Sequence, residues 1–555
     1  MKGLVAGFSI GILVIVCIVT AAQYTTSLKY PSVTVDIQGQ GSVLGDFDTT
    51  LWTNQKYMQF RGIPYAESPR GKLRFKAPVA RLPWRQIFDA TRYGRRCPVI
   101  TTVSNLTAQE LKADLEDCLN LSVFTKDLIT KRPVMFYIYG GGFYNGSASD
   151  HPPKHLLEKD IVLVVSQYRV GALGWLTTFT HDMPGNAPFM DILLALKWVQ
   201  DHISDFGGDP DNVTVFGQSA GAAMTSALLL SPKSTGLFKR VIVQSGSILG
   251  HWAINSDPRK QTERICEALN CGVCKRNDEL YDCLSKATVL DILEVTQAED
   301  FALVINDVYG NLPEHPIELM KSYNRSIPVM TGFTKDDGSF VLATYYDGMK
   351  AAIGNMSLVK VRQFADGIMN LVNDRTRLSN NLLTRLLFTP QILNGTAHKE
   401  ALPAYFDLCT TIYIKSPVIA LTTQLKEKNL ADIYLYSFDY EGQNTRFGYE
   451  LGNEHYPFNG GVHHSNDNIY LFSTHSLNDN DTRMAQKMVE LWTSFAIDGI
   501  PSSSEGPPIL PMNSPSGPYF HINNEITISN DVLDELTSTL DDPDNKKIDR
   551  ENIEF

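Results

Sequence analysis

Short apolar runs recur along the middle of the chain, each bounded by polar or turn-forming residues. The clearest are Val134 to Tyr139, Ile161 to Gln167, Val213 to Phe216, Val241 to Gln244, Pro328 to Gly332 and Asp432 to Phe438. They are continuous rather than alternating, which predicts strands buried on both faces, as in a parallel sheet. Between the second and third runs the period changes. Ile192, Leu196, Val199 and Ile203 recur at helical spacing and form one apolar face. A further helix is predicted from about Met484 to Ala496. Alternating strands and helices predict an α/β fold with a large, mostly parallel central sheet flanked by helices on both faces. In such a sheet a site forms at the carboxyl ends of the strands.

The amino terminus follows another pattern. Lys2 precedes an apolar run from Leu4 to Val19, and Thr20-Ala21-Ala22 follows. A charged start, an apolar stretch and small residues predict a signal peptide over residues 1–22; an uncleaved anchor is the competing reading. No second run approaches the roughly 20 apolar residues of a membrane span. Residues 23–540 are expected to form one domain, because no Pro/Ser/Gly-rich break or repeat divides them. Residues 541–555 are acidic and polar and are expected to form a loose tail. A secreted, extracellular protein is the expectation.

The net charge of −12 and the lack of a basic stripe exclude a nucleic-acid partner. The cysteines fit an oxidising compartment. Cys17 leaves with the signal peptide, and Cys97 and Cys118 are near enough in sequence to close one loop. Cys266, Cys271, Cys274 and Cys283 cluster, and their pairing is open among the connectivities that four cysteines allow. A zinc site competes for this cluster, but its single C-x-x-C has no second one to pair with, so no metal is expected. Cys409 is left over, either as a buried thiol or for an intermolecular bridge. Glycan acceptors are expected at Asn105, Asn120, Asn324, Asn355, Asn394 and Asn480. The sequons at Asn145 and Asn212 are set aside, one lying in a glycine loop and the other opening a strand.

The candidate chemistry centres on Gly217-Gln218-Ser219-Ala220-Gly221, which joins an apolar run to a helix-forming stretch. G-x-S-x-G between strand and helix reads as a nucleophile elbow with Ser219 at its tip. A serine nucleophile needs an oxyanion hole, a base and an acid. Gly140-Gly141-Gly142 ends the Val134 to Tyr139 run, and Gly141 and Gly142 are the expected backbone donors, with the Ala220 N–H as the third. The base comes from His463-His464 and the acid from Asp336-Asp337, in the order Ser, acid, His. Position alone does not choose within either pair.

These residues stand in a wider set of motifs. Phe60-Arg61-Gly62-Ile63-Pro64-Tyr65-Ala66, Leu73-Arg74-Phe75, Glu116-Asp117-Cys118-Leu119, Tyr139-Gly140-Gly141-Gly142-Phe143, Tyr168-Arg169-Val170 and Phe206-Gly207-Gly208-Asp209-Pro210 occur in order along the chain. Together with the elbow they resemble the carboxylesterase/cholinesterase family of α/β-hydrolases (type-B carboxylesterases) over nearly all of the mature length. The resemblance implies a serine ester hydrolase that needs no cofactor and acts on a small-molecule carboxylic ester. It picks His464 from a G-x-x-H-x-x-D/E segment and Asp337 from the position where the family usually carries Glu. It makes Ser245 a serine beside the histidine. It implies disulfides Cys97–Cys118 and Cys271–Cys283, leaves Cys266 and Cys274 to pair with each other, and implies buried ion pairs Arg74–Glu116 and Arg169–Asp191.

The chain departs from the family pattern at Asp337, at Ser122 where asparagine is usual, and at Pro188 and Ile192. No aromatic residue lies between Pro98 and Asp117, where a cholinesterase carries the tryptophan that binds a quaternary ammonium. Gln218 stands where cholinesterases carry Glu. The resemblance is therefore to a secreted invertebrate-type carboxylesterase and not to a cholinesterase. The alternative is an esterase-like adhesion or binding protein without activity, or an impaired esterase. Members of that kind characteristically lose triad residues, whereas Ser219, Asp337 and His464 are all present.

Overall fold

Each of the six apolar runs is a strand of a single mixed sheet. The structure is a computed structural model that describes residues 31–105, 114–272, 274–355, 359–370, 387–388, 390–396, 398–452 and 455–536. The expected signal peptide at 1–22 and the tail at 541–555 lie outside the described residues. In chain order the strands are β1 (Ser32–Ile37), β2 (Gly41–Thr49), β3 (Lys56–Pro64), β4 (Phe88–Asp89), β5 (Asn120–Thr125), β6 (Arg132–Ile138) and β7 (Val162–Ser166). They continue with β8 (Gly208–Gln218), β9 (Arg240–Gln244), β10 (Val329–Thr334), β11 (Ile433–Phe438), β12 (Tyr519–Ile522) and β13 (Ile526–Ser529).

Their spatial order is β1-β2-β3-β5-β7-β6-β8-β9-β10-β11-β12-β13, with β4 beside β2. The run from β7 to β12 is parallel. Every residue of β7, β9, β10 and β11 is buried, so both faces of the middle of the sheet are covered. β1, β2, β3 and β5 form an antiparallel flank, and β12–β13 a hairpin at the other edge.

The helices obey local rules. Ala187–His202 carries Pro188 in its first turn, where a missing N–H costs nothing. The predicted helix around Met484 to Ala496 extends over Asp479–Asp498. Asn478 caps it by accepting from the Asp481 N–H at 2.8 Å, and Gly499 ends it in the left-handed region. Helices Ser339–Ile353, Val361–Asn370 and His398–Thr410 follow β10 and share a smaller apolar core that includes Val341, Phe364, Tyr405 and Leu408.

Cross-links and ion pairs hold the connecting segments. Disulfides join Cys97–Cys118, Cys271–Cys283 and Cys266–Cys274, and Cys409 is a buried free thiol. Arg169 and Asp191 form a buried bidentate pair at 2.7 and 2.8 Å. Arg74 and Glu116 form a second, at 2.5 and 2.8 Å. Ser122 is buried in β5, away from the elbow, and Ile192 is buried in its helix.

One expectation is corrected. Asn120 is buried, and its amide donates to the carbonyls of Arg95 and Cys118, so it cannot carry a glycan in the folded protein. Asn105, Asn324, Asn355, Asn394 and Asn480 are exposed.

Candidate active site

The sheet register brings the candidate residues together. Gln218 at the end of β8 pairs with Gln244 at the end of β9, which pairs with Gly332 in β10. The next residue in each of the first two strands is a serine. Ser219 N–H donates to the Gln244 carbonyl (2.9 Å) and Ser245 N–H to the Gly332 carbonyl (2.8 Å). Three adjacent parallel strands therefore end at one place.

Ser219 leaves β8 with φ 59° and ψ −124° and caps the helix Ala220–Leu230. Such a conformation costs a non-glycine residue about 1–3 kcal/mol and is kept only where its surroundings impose it. Glycine is required on both sides. A Cβ at Gly217 would overlap the Gly221 carbonyl, and one at Gly221 would overlap the Ile138 carbonyl. Ser219 is partly exposed at the tip of the turn while its neighbours Gln218 and Ala220 are buried.

The glycine loop lies beside it. Gly141 and Gly142 have φ +119° and +59° and are exposed. Phe143 anchors the loop. Its ring packs edge-on against Trp175, and its carbonyl accepts from Trp175 Nε1 (2.8 Å) and Gly171 N–H (2.9 Å). Among the described residues none accepts from the N–H of Gly141, Gly142 or Ala220.

Asp337 and His464 are paired. His464 Nδ1 lies 2.5 Å from Asp337 Oδ1. The other oxygen, Oδ2, accepts from Ser245 Oγ (2.6 Å) and from the Thr334 N–H (2.8 Å). Asp337 is fully buried, so its three partners compensate for lost hydration. Burial alone would push the His464 imidazole down. The Asp337 charge and hydrogen bond outweigh it, with Glu450 and Asp467 adding, and hold it above its ordinary value. Burial pushes the Asp467 carboxyl up to about 6, against a hydrogen bond from Gln244 Nε2 at 2.8 Å.

The other member of each pair is placed differently. Asp336 turns the other way, and its Oδ2 accepts from the Val462 N–H at 2.8 Å. His463 is fully buried with Nδ1 2.6 Å from Ser339 Oγ and Nε2 3.7 Å from Glu450. Burial lowers its basicity.

Two features were not foreseen. The Thr334 N–H shares the Asp337 carboxylate with Ser245, which only the fold of the β10 turn could reveal. More consequentially, His464 Nε2 makes no hydrogen bond to Ser219 Oγ among the described residues. It lies 3.1 Å from the side-chain nitrogen of Gln218. The sequence marked Gln218 only as a departure from cholinesterases.

A second Ser–His–Asp row lies at the far edge of the sheet. Ser529 Oγ is 3.0 Å from His521 Nε2, and His521 Nδ1 is 2.6 Å from Asp439 Oδ2. Ser437 Oγ donates to Asp439 at 2.6 Å, as Ser245 does to Asp337. The row borders a cavity of about 450 Å³. It lacks an elbow: Ser529 ends an antiparallel strand with no positive φ and leads into a bend rather than a helix. Glu535 also stands 3.7 Å from His521 Nε2.

A model of the carboxylesterase family matches residues 30–539. The chain is 29% identical over 510 residues to carboxylesterase 1C of Rattus norvegicus, covering 87% of this chain and 88% of that protein. It is 30% identical over 501 residues to juvenile hormone esterase of Tribolium castaneum, covering 83% of each. It is 29% identical over 511 residues to glutactin of Drosophila melanogaster, covering 87% of this chain but only 49% of glutactin.

Proposed function

The chain belongs to the carboxylesterase family and is an ester hydrolase of that type, and from this premise we propose that it is secreted and hydrolyses small-molecule carboxylic esters through an acyl-enzyme on Ser219. In the first half-reaction Ser219 Oγ attacks the ester carbonyl carbon and its proton passes to His464 Nε2. Negative charge develops on the carbonyl oxygen, which the N–H groups of Gly141, Gly142 and Ala220 receive. Each such donor contributes about 2.7–4 kcal/mol to the transition state. The tetrahedral intermediate collapses, the C–O bond to the alcohol breaks, and His464 protonates the leaving oxygen. Water then adds to the acyl-Ser219 with His464 again as base, releasing the acid and restoring the serine.

The observation that carries this reading is the pairing of His464 with Asp337 beside the strained Ser219 turn. Asp337 supports the Nδ1–H tautomer, which leaves Nε2 bare to act as base. All three residues are present and His464 is hydrogen-bonded to Asp337, which supports the catalytic reading, while the non-catalytic reading has in its favour that His464 Nε2 faces Gln218 and not Ser219. The decisive experiment is hydrolysis of short-chain p-nitrophenyl esters by the protein and by Ser219→Ala. Turnover lost in the variant supports the reading, whereas equal rates in two folded proteins overturn it.

Secretion rests on the amino-terminal pattern and on three disulfides, which persist in oxidising compartments. No described helix is long and apolar enough to cross a membrane. Amino-terminal sequencing of protein recovered from the medium should begin after Ala22; a mature protein that retains residues 1–22 would overturn the cleavage.

A further inference from the structure

We propose that Gln218 is a positioning residue that caps the catalytic base in the resting protein and thereby sets the pH at which the base works. This rests on the reading of Ser219 as nucleophile and His464 as base. Gln218 is buried, and its side-chain nitrogen lies 3.1 Å from His464 Nε2. Its oxygen points toward the glycine loop: it stands 2.8 Å from where a Cβ at Gly140 would be. The absence of a side chain at Gly140 leaves room for the amide, which spans from the oxyanion loop to the base.

The protonation logic follows from the partners of the ring. Nδ1 faces the Asp337 carboxylate and carries the hydrogen, so Nε2 of the neutral imidazole holds a lone pair. The Gln218 N–H donates to that lone pair. When Ser219 loses its proton to Nε2 the ring becomes imidazolium, with an N–H at both nitrogens. The Gln218 N–H then faces another donor, and the amide must turn to offer its oxygen. In its resting orientation Gln218 stabilises neutral His464 and opposes the pull of Asp337. A glutamate here would do the reverse, because a carboxylate can only accept and favours the imidazolium.

The other titratable groups around His464 are Asp337 from the β10 turn, Asp467 and His463 from its own segment, and Glu450 from the helix Arg446–Glu450. None of these is altered by substitution at 218, so a shift on changing Gln218 reports that residue.

The test is the rate of labelling by an alkyl fluorophosphonate, followed from pH 5 to 9 on the full chain. In this reaction the Ser219 Oγ–P bond forms, the P–F bond breaks, fluoride leaves and the serine proton goes to His464. It reads the base in the free enzyme and needs no knowledge of the natural ester. Gln218→Glu should move the acid limb to higher pH by about 1 unit or more. Gln218→Met has similar length but no donor and buries no charge, and it should move the limb the same way by less. If both limbs coincide with that of the unaltered protein while labelling stays confined to Ser219, Gln218 does not set the base and the proposal falls alone. Labelling that persists in Ser219→Ala would remove the nucleophile reading and this proposal with it.

Discussion

Asp337 reaches His464 Nδ1 at 2.5 Å although it is one methylene shorter than the glutamate usual in the family. The turn after β10 brings the carboxylate close enough to accept also from Ser245 and from the Thr334 N–H only three residues earlier. The carboxylate is thus fixed on three sides in a fully buried position.

That packing predicts how variants of the acid behave. Asp337→Asn keeps the volume but loses the charge and the tautomer control, and ester turnover should fall by roughly 10⁴-fold. Asp336→Asn should leave turnover near that of the unaltered protein, since Asp336 binds the Val462 N–H and not the base. Asp337→Glu should not be an improvement. An added methylene in a filled site costs about 1–3 kcal/mol and displaces the imidazole. Comparing kcat for the three variants decides the assignment; a larger loss in Asp336→Asn than in Asp337→Asn would reverse it.

The raised basicity of His464 predicts opposite pH trends for activity and stability. The base works when neutral, so kcat/KM should rise as pH passes through its folded value, above the ordinary 6.5. Its contribution to stability has the other sign. It is fully present below the unfolded value and is lost as pH rises through the folded one. Asp467, pushed by burial to about 6, adds a loss of the same sign as pH rises. Asp337→Asn should move the acid limb of kcat/KM to lower pH and flatten the stability slope between pH 6 and 8. Profiles of kcat/KM and of urea midpoint would show this, and an acid limb that stays in place in Asp337→Asn would contradict it.

The parts of this site legible in the sequence are those with local causes. The elbow is dictated by Gly217 and Gly221, whose lack of side chains answers close carbonyls, and six of the seven parallel strands by apolar runs. The antiparallel flank was not legible, because β1 and β2 are only half-buried and short of apolar residues. Asn120 shows the same limit from the other side. Its sequon is intact, but pairing with β3 and β7 buries the amide, and nothing within a few residues of it signals that. Gln218 meets a partner from a distant segment, a contact that exists only once the sheet is assembled, whereas Thr334 reaches Asp337 three residues on through a turn conformation that the residue types do not specify.

The buried pair Arg169–Asp191 predicts an asymmetric stability response. Both side chains are almost wholly buried, and Arg169 also donates to the Lys76 carbonyl at 2.7 Å. Arg169→Met removes the guanidinium and leaves the buried Asp191 with the backbone N–H of residue 169 (3.0 Å) in place of the bidentate pair, and should cost about 3–5 kcal/mol. The double variant Arg169→Met/Asp191→Leu removes both charges and should recover most of that loss. Urea midpoints of the two proteins measure the difference. A double variant as unstable as the single one would mean that the hydrogen bonds to the backbone, and not the charge balance, hold this segment.

The two Ser–His–Asp rows predict which features make a serine reactive. By hydrogen-bond distance alone Ser529 is the better placed, since it meets its histidine at 3.0 Å while Ser219 does not. Yet Ser529 sits on an ordinary strand, without the turn that aims a serine at the start of a helix and without the loop of free N–H groups beside Ser219. Without stabilisation of the oxyanion, a hydrogen-bonded base gains little for acyl or phosphoryl attack. His521 also has Glu535 beside the same nitrogen and is held above its ordinary basicity by Asp439. A fluorophosphonate should therefore label Ser219 with a stoichiometry of one, Ser219→Ala should take up none, and Ser529→Ala should react at the unaltered rate. Peptide mapping of the labelled site distinguishes the two serines, and label on Ser529 would show that the row alone suffices.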